Sequence, residues 1–280
     1  MLIDTHCHLH DREFFSEEQA GEMLARAHEK GIRKIICIGT SHEDSLNARD
    51  FAAAHDDVYW TYGIHPERAK EASENVFSRP APSHPSLRGS GALKLPVGRN
   101  GLEKTFSEVP IAIGEVGLDY HYDGYDREAQ IKLFEQMLQL AQDNDLPVSF
   151  HVREAFLDFF PVVANFPKIR GVVHSFSDNK KNLKRILTET DFYIGVNGMA
   201  TYSTLPTPPL DRILLETDAP FLTPVPFRGI INECGYIFEI AQWLSSKLAV
   251  DFSEIERETT KNAEKLFQFE RAGILETGNH

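Results

Sequence analysis

An aspartate and two histidines near the amino terminus have the spacing of residues on one face of a β-strand. Asp4, His6 and His8 alternate within residues 3–8, and alternate side chains of a strand point to the same side. Two imidazoles at this spacing suit a divalent cation, with the aspartate as a further ligand or as a partner behind the ligands. The alternative is a pair of unrelated histidines, which their place on a predicted first strand disfavours.

Four more polar residues each follow a short apolar run: Glu115, His151, His174 and Asp218. An isolated charge at such a position is costly to bury unless it is paired or binds a metal. Any one of them alone would be explained by a capped turn or a buried ion pair. In an α/β barrel, however, the carboxyl ends of all strands meet at one face, where active sites lie. Together with the two amino-terminal histidines they predict a single metal centre.

Histidine and carboxylate ligands favour Zn²⁺, Mn²⁺ or Mg²⁺ over an iron–sulfur cluster. Six ligands exceed what one catalytic ion needs if it keeps an open position. The set therefore predicts two divalent ions roughly 3.5–4 Å apart, bridged by Glu115. Such a pair would hold a phosphoryl or carbonyl oxygen and lower the pKa of bound water toward ~7. Cys7 alternates away from the histidines and is predicted to lie in the core.

Three further residues are candidates for substrate contacts. Arg153 follows His151 by two positions, and Arg228 lies in a loop after Asp218. A guanidinium matches the geometry of a phosphate, although a surface ion pair explains each arginine equally well. His65 ends another apolar run, where it would donate to substrate or shape the turn before a proline.

Short apolar runs alternate with helix-like stretches, a pattern typical of parallel strands. Eight such runs with polar residues at their ends favour a TIM-type (β/α)8 barrel, with residues 1–280 as a single domain. The predicted strands are Leu2–Thr5, Lys34–Ile38, Val58–Tyr62, Ile111–Gly114, Val148–Phe150, Gly171–Val173, Phe192–Val196 and Arg212–Leu215. The predicted helices include Glu17–Lys30, Glu43–His55, Arg127–Asn144, Arg153–Asn165, Asn179–Thr188, Cys234–Leu248 and Phe252–Phe267.

Two segments interrupt this alternation. Residues 78–101, between strands 3 and 4, contain four Ser, four Pro, four Gly and four basic residues but no acidic ones. This composition predicts an irregular insertion, either inert or acting as a basic arm that recruits nucleic acid. The arm requires the third helix to begin after the insertion, near residues 102–106, and not at 67–77. Between strands 7 and 8 the chain is too short and too rich in proline for a full helix, which predicts a truncated one.

The charge of the chain limits how nucleic acid can bind. A formal charge of −13, from 29 basic and 42 acidic residues, repels long DNA, whose affinity depends on cations that replace phosphate counterions. Binding is expected to be local, at a site whose metals supply positive charge. Three cysteines favour a reducing compartment. No secretion signal or membrane span is found in the sequence, so we expect a cytoplasmic protein with no membrane and no obligate protein partner.

Six motifs in their proper order make the chain resemble the TatD-type metal-dependent deoxyribonucleases, relatives of the amidohydrolase barrels. The motifs lie at residues 4–9, 62–66, 113–120, 151–155, 174–177 and 215–220, and the resemblance continues to residues 260–267. It implies that the metal ligands are His6, His8, Glu115, His151, His174 and Asp218. It also implies that Asp218 orients the attacking water and takes its proton. The chain departs from the family pattern in a substrate-facing loop. The family usually has proline after an Asn-Glu pair, and this chain has Cys234 there.

The resemblance implies a deoxyribonuclease that cleaves phosphodiester bonds from a 3′ end, on single-stranded DNA or at DNA ends. A second hypothesis is an amidohydrolase-type enzyme that uses the same site on a small amide or ester. A third is a metal-binding interaction protein without turnover, which the complete set of six ligands disfavours. Metal identity, with Mg²⁺, Mn²⁺ and Zn²⁺ as candidates, stays open.

Overall fold

Eight parallel strands form one sheet in which each strand pairs with the next along the chain. The structure, a computed structural model, describes residues 1–75 and 109–269. The strands are β1 (Leu2–Cys7), β2 (Ile32–Cys37), β3 (Val58–Tyr62), β4 (Ala112–Asp119), β5 (Val148–Arg153), β6 (Gly171–Val173), β7 (Tyr193–Val196) and β8 (Ile213–Leu215). The order and the parallel pairing confirm the predicted TIM-type barrel.

Backbone bonds between the first strand and the segment after the last bring the two edges of the sheet together. The N–H of Asp218 donates to the carbonyl of His6 at 2.8 Å, and the N–H of His8 donates to the carbonyl of Ala219 at 2.7 Å. The hydroxyl of Thr5 also donates to the carbonyl of Leu215 at 2.9 Å. The sheet thus closes next to residues 6, 8 and 218.

Seven helices of two turns or more and one shorter helix surround the strands in the described part of the chain. They are α1 (Glu17–Glu29), α2 (His42–Ala53), α3 (Ala69–Asn75), α4 (Arg127–Asp143), α5 (Phe156–Ala164), α6 (Lys180–Glu189), α7 (Ile237–Leu248) and α8 (Phe252–Phe267). Their starts follow side-chain caps where the sequence supplies them. Ser16 forms a capping box with Gln19 at α1, and the carboxylate of Asp126 accepts from Ala129 N–H at α4, which satisfies donors that have no partner within the helix.

Strands β4 and β5 are longer than the apolar runs that predicted them. The expected strand ends at Gly114 and Phe150 are wrong, because β4 continues to Asp119 and β5 to Arg153. Arg153 accordingly ends a strand and does not begin a helix, and α5 starts at Phe156. The hydrophobic pattern underestimates the length of these strands because their last residues include polar side chains. Those side chains contact one another at the barrel mouth.

The two interrupted regions have different outcomes. Between β7 and β8 the chain forms only short 3₁₀ turns at Gly198–Thr201 and Leu210–Arg212, which confirms the truncated helix. The insertion at 78–101 and the alternative helix near 102–106 lie outside the described residues. A helix does follow β3, at Ala69–Asn75, within the range 67–77 that the basic-arm hypothesis excluded.

Apolar side chains fill the barrel below the mouth. Ile3, Ile36, Val172 and Leu214 form one buried cluster with the end of α8, so the barrel is a packed core and not a pore. Cys7 lies fully buried among core residues, as predicted, and it is a free thiol. In the ranges 1–75 and 109–269, no helix has the length and apolarity needed to cross a membrane.

Candidate metal centre

Six polar side chains predicted as ligands lie together at the carboxyl ends of the strands. The donor atoms of His6, His8 and Glu115 are mutually within 4.8 Å, as are those of Glu115, His151 and His174. Asp218 adjoins both amino-terminal histidines, because its Oδ1 lies 3.6 Å from Nε2 of each. Glu115 belongs to both groups, which is the position a bridging ligand would hold.

Two of the pairs around Glu115 have the spacing of ligands around a shared cation, whereas His151 Nδ1 forms a hydrogen bond to Glu115 Oε1 at 2.6 Å. His6 Nε2 lies 3.5 Å from Glu115 Oε2, and His174 Nε2 lies 3.7 Å from Glu115 Oε1. These separations exceed a hydrogen bond but approach the roughly 3–3.5 Å between two ligands that each lie about 2 Å from one ion. His6 Nε2 is also buried without a hydrogen-bond partner, which is costly unless an ion takes its lone pair. The donor set therefore fits a metal centre.

The ring nitrogens of His6 and His8 that face away from the cluster each have a polar partner. His8 Nδ1 lies 3.1 Å from the carbonyl oxygen of Ile38, and because that oxygen can only accept, Nδ1 carries the proton and leaves Nε2 free as a ligand. His6 Nδ1 contacts the hydroxyl of Ser149 at 3.3 Å. Such partners set the tautomer and the orientation of a metal-binding imidazole.

Carboxylates lie beside the other two histidines, hydrogen-bonded to His151 and in ion-pair distance of His174. His151 Nε2 lies 2.8 Å from Asp119 Oδ2, and His174 Nδ1 lies 3.0 Å from Glu216 Oε1. Neither Asp119 nor Glu216 was predicted as a site residue. Asp119 lies four positions after Glu115, and Glu216 lies two positions before Asp218. The available signal was the alternation within β4, which places Glu115 and Asp119 four positions apart. The strand end predicted at Gly114 concealed it.

The carboxylates also raise the proton affinity of the surrounding rings. Burial alone lowers the pKa of His151, but Asp119 and Glu115 raise it to about 10. Burial likewise opposes the charge on His8, whose pKa Asp218 raises to about 9. At neutral pH these rings therefore carry protons until a cation replaces them. Metal binding should release protons and strengthen as the pH rises.

Asp218 is positioned by an unusual backbone conformation. Its φ of 57° is left-handed, a region that aspartate tolerates better than most residues. Glu154, Ser175 and Leu222, in neighbouring loops at the mouth, also have φ near 50°. Backbone strain of this kind concentrates at functional sites, where surrounding hydrogen bonds maintain it.

Asp4 does not join the cluster as a further ligand. Its carboxylate accepts from the N–H and the hydroxyl of Thr217, at 2.9 and 2.6 Å, and lies beside the thiols of Cys7 and Cys234. The alternation that placed Asp4 with the histidines is broken because the pairing of β1 with β2 shifts register between Asp4 and Cys7. Its observed role is to hold the chain that leads to Asp218.

Removal of the carboxylate behind His151 should weaken metal binding. We expect Asp119→Ala to lower metal affinity roughly 10- to 100-fold, the usual effect of losing such a partner, because the imidazole loses both its orientation and its basicity. Competition with a fluorescent chelator measures the affinity. Asp123→Ala, which changes an exposed aspartate in the loop after β4, serves as the control. Equal affinities for the two variants would exclude the supporting role.

The three candidates for substrate contacts have different positions. Arg153 and His65 line a cavity of about 640 Å³ above the cluster. Arg228 is absent from the described residues that line it; its guanidinium lies 3.9 Å from the ring centre of Tyr202, and it donates to the carbonyl of Thr223 at 3.4 Å. Burial and the neighbouring His151 lower the pKa of His65 to about 4. His65 is therefore neutral, and because its Nδ1 accepts from an N–H at 3.4 Å, its Nε2 carries the proton.

The cavity has an acidic lining. Its described lining includes two arginines, Arg68 and Arg153, and six carboxylates, namely Asp11, Asp44, Glu67, Glu115, Asp119 and Asp218. Without cations this lining repels an anionic substrate. Divalent ions bound at the cluster would offset this negative charge, because bound ions are the largest local charges in such a site.

A barrel with a histidine–carboxylate cluster at its mouth defines a metal-dependent hydrolase. The family model described as "TatD related DNase" matches residues 3–268. This chain belongs to the TatD family of metal-dependent hydrolases and is a hydrolytic enzyme acting on ester bonds.

Individual relatives agree with this assignment. The chain is 29% identical over 277 residues to an uncharacterized metal-dependent hydrolase of Bacillus subtilis, with 96% of this chain and 99% of the relative covered. It is 31% identical over 263 residues to a 3′–5′ ssDNA/RNA exonuclease TatD of Erwinia tasmaniensis, with coverages of 88% and 92%. The crystal structure of a TatD homologue from Escherichia coli superposes with a TM-score of 0.73 at 26% identity, with coverages of 95% and 98%.

Proposed function

We propose that this enzyme is a 3′–5′ exonuclease that cleaves phosphodiester bonds at single-stranded ends of DNA by using two divalent cations. The observation that carries the proposal is the pair of donor groups that share Glu115 beneath an acidic cavity. The relative named as an ssDNA/RNA exonuclease supports the choice of substrate. Mg²⁺, Mn²⁺ and Zn²⁺ are all compatible with the donors.

One ion would be held by His6, His8 and Asp218, and the other by His151 and His174, with Glu115 between them. When bound, such ions neutralise the scissile phosphate and lower the pKa of a water toward ~7. The protein supplies the geometry, because the rings of His6, His8 and His151 are already oriented by hydrogen-bond partners. The left-handed backbone at Asp218 and strand β4 at Glu115 fix these carboxylates before substrate arrives, so little reorganisation is needed during the reaction.

Asp218 takes the proton of the attacking water. Although burial raises its pKa, His174, His8 and His6 outweigh this effect and lower it below the ordinary value, so the carboxylate stays ionised. Arg153 points into the cavity and would donate to non-bridging phosphate oxygens. His65 would donate through Nε2 to the same phosphate or to the leaving oxygen. Arg228 would contact a phosphate further along the strand.

The direct test is digestion of end-labelled DNA and RNA. Single-stranded and duplex substrates, labelled at the 5′ end, are incubated with enzyme and Mg²⁺, Mn²⁺ or Zn²⁺, beside a panel of amides and carboxylic esters. We expect a ladder that shortens from the 3′ end of single strands. Amide or carboxylic ester turnover without nucleic-acid cleavage would replace the proposal with the amidohydrolase alternative.

The two arginines should matter more for a polymer than for a small diester. We expect Arg153→Ala and Arg228→Ala each to lower kcat/KM for DNA roughly 10- to 100-fold, the value of a lost charge-assisted hydrogen bond. Hydrolysis of a small chromogenic phosphodiester should fall less, because it lacks the additional phosphates. Arg257→Ala, on the surface of α8, is the control. Equal losses on both substrates would show that the arginines support the fold or the metals.

A further inference from the structure

Two exposed aromatic rings stand on opposite rims of the cavity, and the proposed chemistry uses neither of them. Tyr122 lies in the loop after β4 and Phe221 in the loop after β8, and both line the cavity. Because strands 4 and 8 are half a turn apart in an eight-stranded barrel, these loops face each other across the metal centre. Tyr122 is 55% exposed and Phe221 is 46% exposed. Large aromatic side chains are usually more buried than this.

Tyr122 is held in place by its neighbours without being covered by them. The guanidinium of Arg153 lies 5.2 Å from its ring centre and donates to its hydroxyl at 3.3 Å. His121 meets the ring edge-on, with centres 4.9 Å apart. The ring is therefore oriented by contacts that leave more than half of it in solvent, beside the arginine proposed to bind phosphate.

Phe221 is tied still more closely to the reacting centre. Its N–H donates to the carbonyl of Asp218 at 2.8 Å, and its ring packs edge-on against His8, with centres 6.2 Å apart. Phe14 supports it on another side, with centres 5.3 Å apart and planes at 82°. The exposed part of the ring thus has a fixed position next to one of the candidate metal ligands.

We propose that Tyr122 and Phe221 are two stacking platforms that hold the unpaired nucleobases on either side of the scissile phosphate at a single-stranded 3′ end. This inference rests on the proposed nuclease function and names what that site recognises. Every base has a π-face, so stacking gives affinity without sequence preference. The acidic cavity offers few cations for backbone binding, so the rings supply affinity that arginines and lysines supply elsewhere.

The same geometry explains why a single strand would be preferred. Bases inside a duplex are stacked on one another and paired, so their faces are not available to two rings on opposite rims. A duplex end would first have to fray, which costs free energy for unpairing and unstacking its bases. A small amide or ester needs neither platform.

The test changes the rings and the bases together. Phe221→Leu and Tyr122→Leu keep an apolar side chain but remove the π-face. On a single-stranded oligonucleotide labelled at its 5′ end we expect each variant to raise KM roughly 5- to 100-fold, from the measured value of base–aromatic stacking. The second substrate has the same backbone with abasic residues at the last two positions. Wild type should bind it more weakly, and the penalty of each substitution should largely disappear, as a double-mutant cycle requires.

Tyr125→Leu is the matched control. Tyr125 belongs to the same loop as Tyr122 and is similarly exposed, at 45%, but it stacks on Tyr120 and is absent from the described lining of the cavity. It should leave KM unchanged on both substrates. Phe221 and Tyr122 variants with an unchanged KM, or with the same penalty on the abasic substrate, would overturn the stacking proposal while leaving the nuclease function intact.

A binding measurement separates this outcome from failure of the nuclease proposal. Fluorescein-labelled oligonucleotide is titrated with the metal-loaded Asp218→Asn enzyme, with and without the platform substitutions. Tight binding that the substitutions weaken supports the platforms independently of turnover. A wild-type enzyme that neither binds nor cleaves oligonucleotides would contradict both proposals.

Discussion

Asp218→Asn should abolish most turnover while the barrel stays folded. We expect kcat to fall roughly 10²- to 10⁴-fold, the usual contribution of a positioned general base. Asparagine preserves the shape of the side chain but cannot accept the proton. The backbone bonds of residue 218 to His6 and Phe221 do not depend on the carboxylate, so the loop should keep its conformation.

The measurement is single-turnover cleavage of the 5′-labelled single strand, combined with metal analysis and thermal unfolding of the same preparation. Asp191→Asn, an exposed aspartate before β7, provides the matched control and should behave as wild type. Phosphodiesterase activity near the wild-type rate in Asp218→Asn would exclude Asp218 as the base. If Asp218→Asn lost its metals together with its activity, the loss of turnover would be explained by the role of Asp218 as a ligand and not by its role as the base.

Glu115→Gln should lower turnover at least as much as Asp218→Asn does, because it should weaken metal binding. Glu115 approaches His6, His151 and His174 at 3.5, 2.6 and 3.7 Å, so among the described residues its carboxylate is the group that the two proposed donor sets share. An amide bridges two cations poorly because it carries no charge and offers one oxygen. Loss of a partner behind a ligand already costs about 10- to 100-fold in affinity, and loss of the bridge should cost more.

We expect wild type to bind two ions per chain and Glu115→Gln to bind at most one tightly, with nuclease activity near background. Elemental analysis after dialysis, together with calorimetric titration of Mn²⁺ or Zn²⁺, measures the stoichiometry. Glu67→Gln is the control, because Glu67 lines the same cavity but is exposed and outside the described donor groups. Two ions bound equally well by Glu115→Gln would contradict the bridge.

The barrel could be predicted because its determinants are local and repeated. Apolar runs such as Val58–Tyr62 and Gly171–Val173 coincide with strands as observed, since buried parallel strands are continuous hydrophobic segments. The polar residues beyond them were found for the same reason: a charge directly after such a run has few explanations. Convergence at the carboxyl ends then follows from topology alone.

The extent of β4 and the partners of the ligands could not be predicted. Asp119 lies beside His151 and Glu216 beside His174 through contacts between the ends of different strands, and hydrophobic patterning carries no information about which side chains meet there. The break in β1 that separates Asp4 from the histidines is likewise a property of its pairing with β2. Periodicity describes a regular strand and cannot locate a shift of register.

The sequence by itself therefore determined the fold class and the six residues that form the cluster, because strand alternation and burial cost act within a few positions of the chain. Only the tertiary structure decided how those residues face one another, which nitrogen of His8 is free, and which carboxylates stand behind the rings. It alone placed Tyr122 and Phe221 on opposite rims, although about 100 residues separate them. Distances between side chains on different strands depend on how the barrel closes, and closure is a property of the whole sheet.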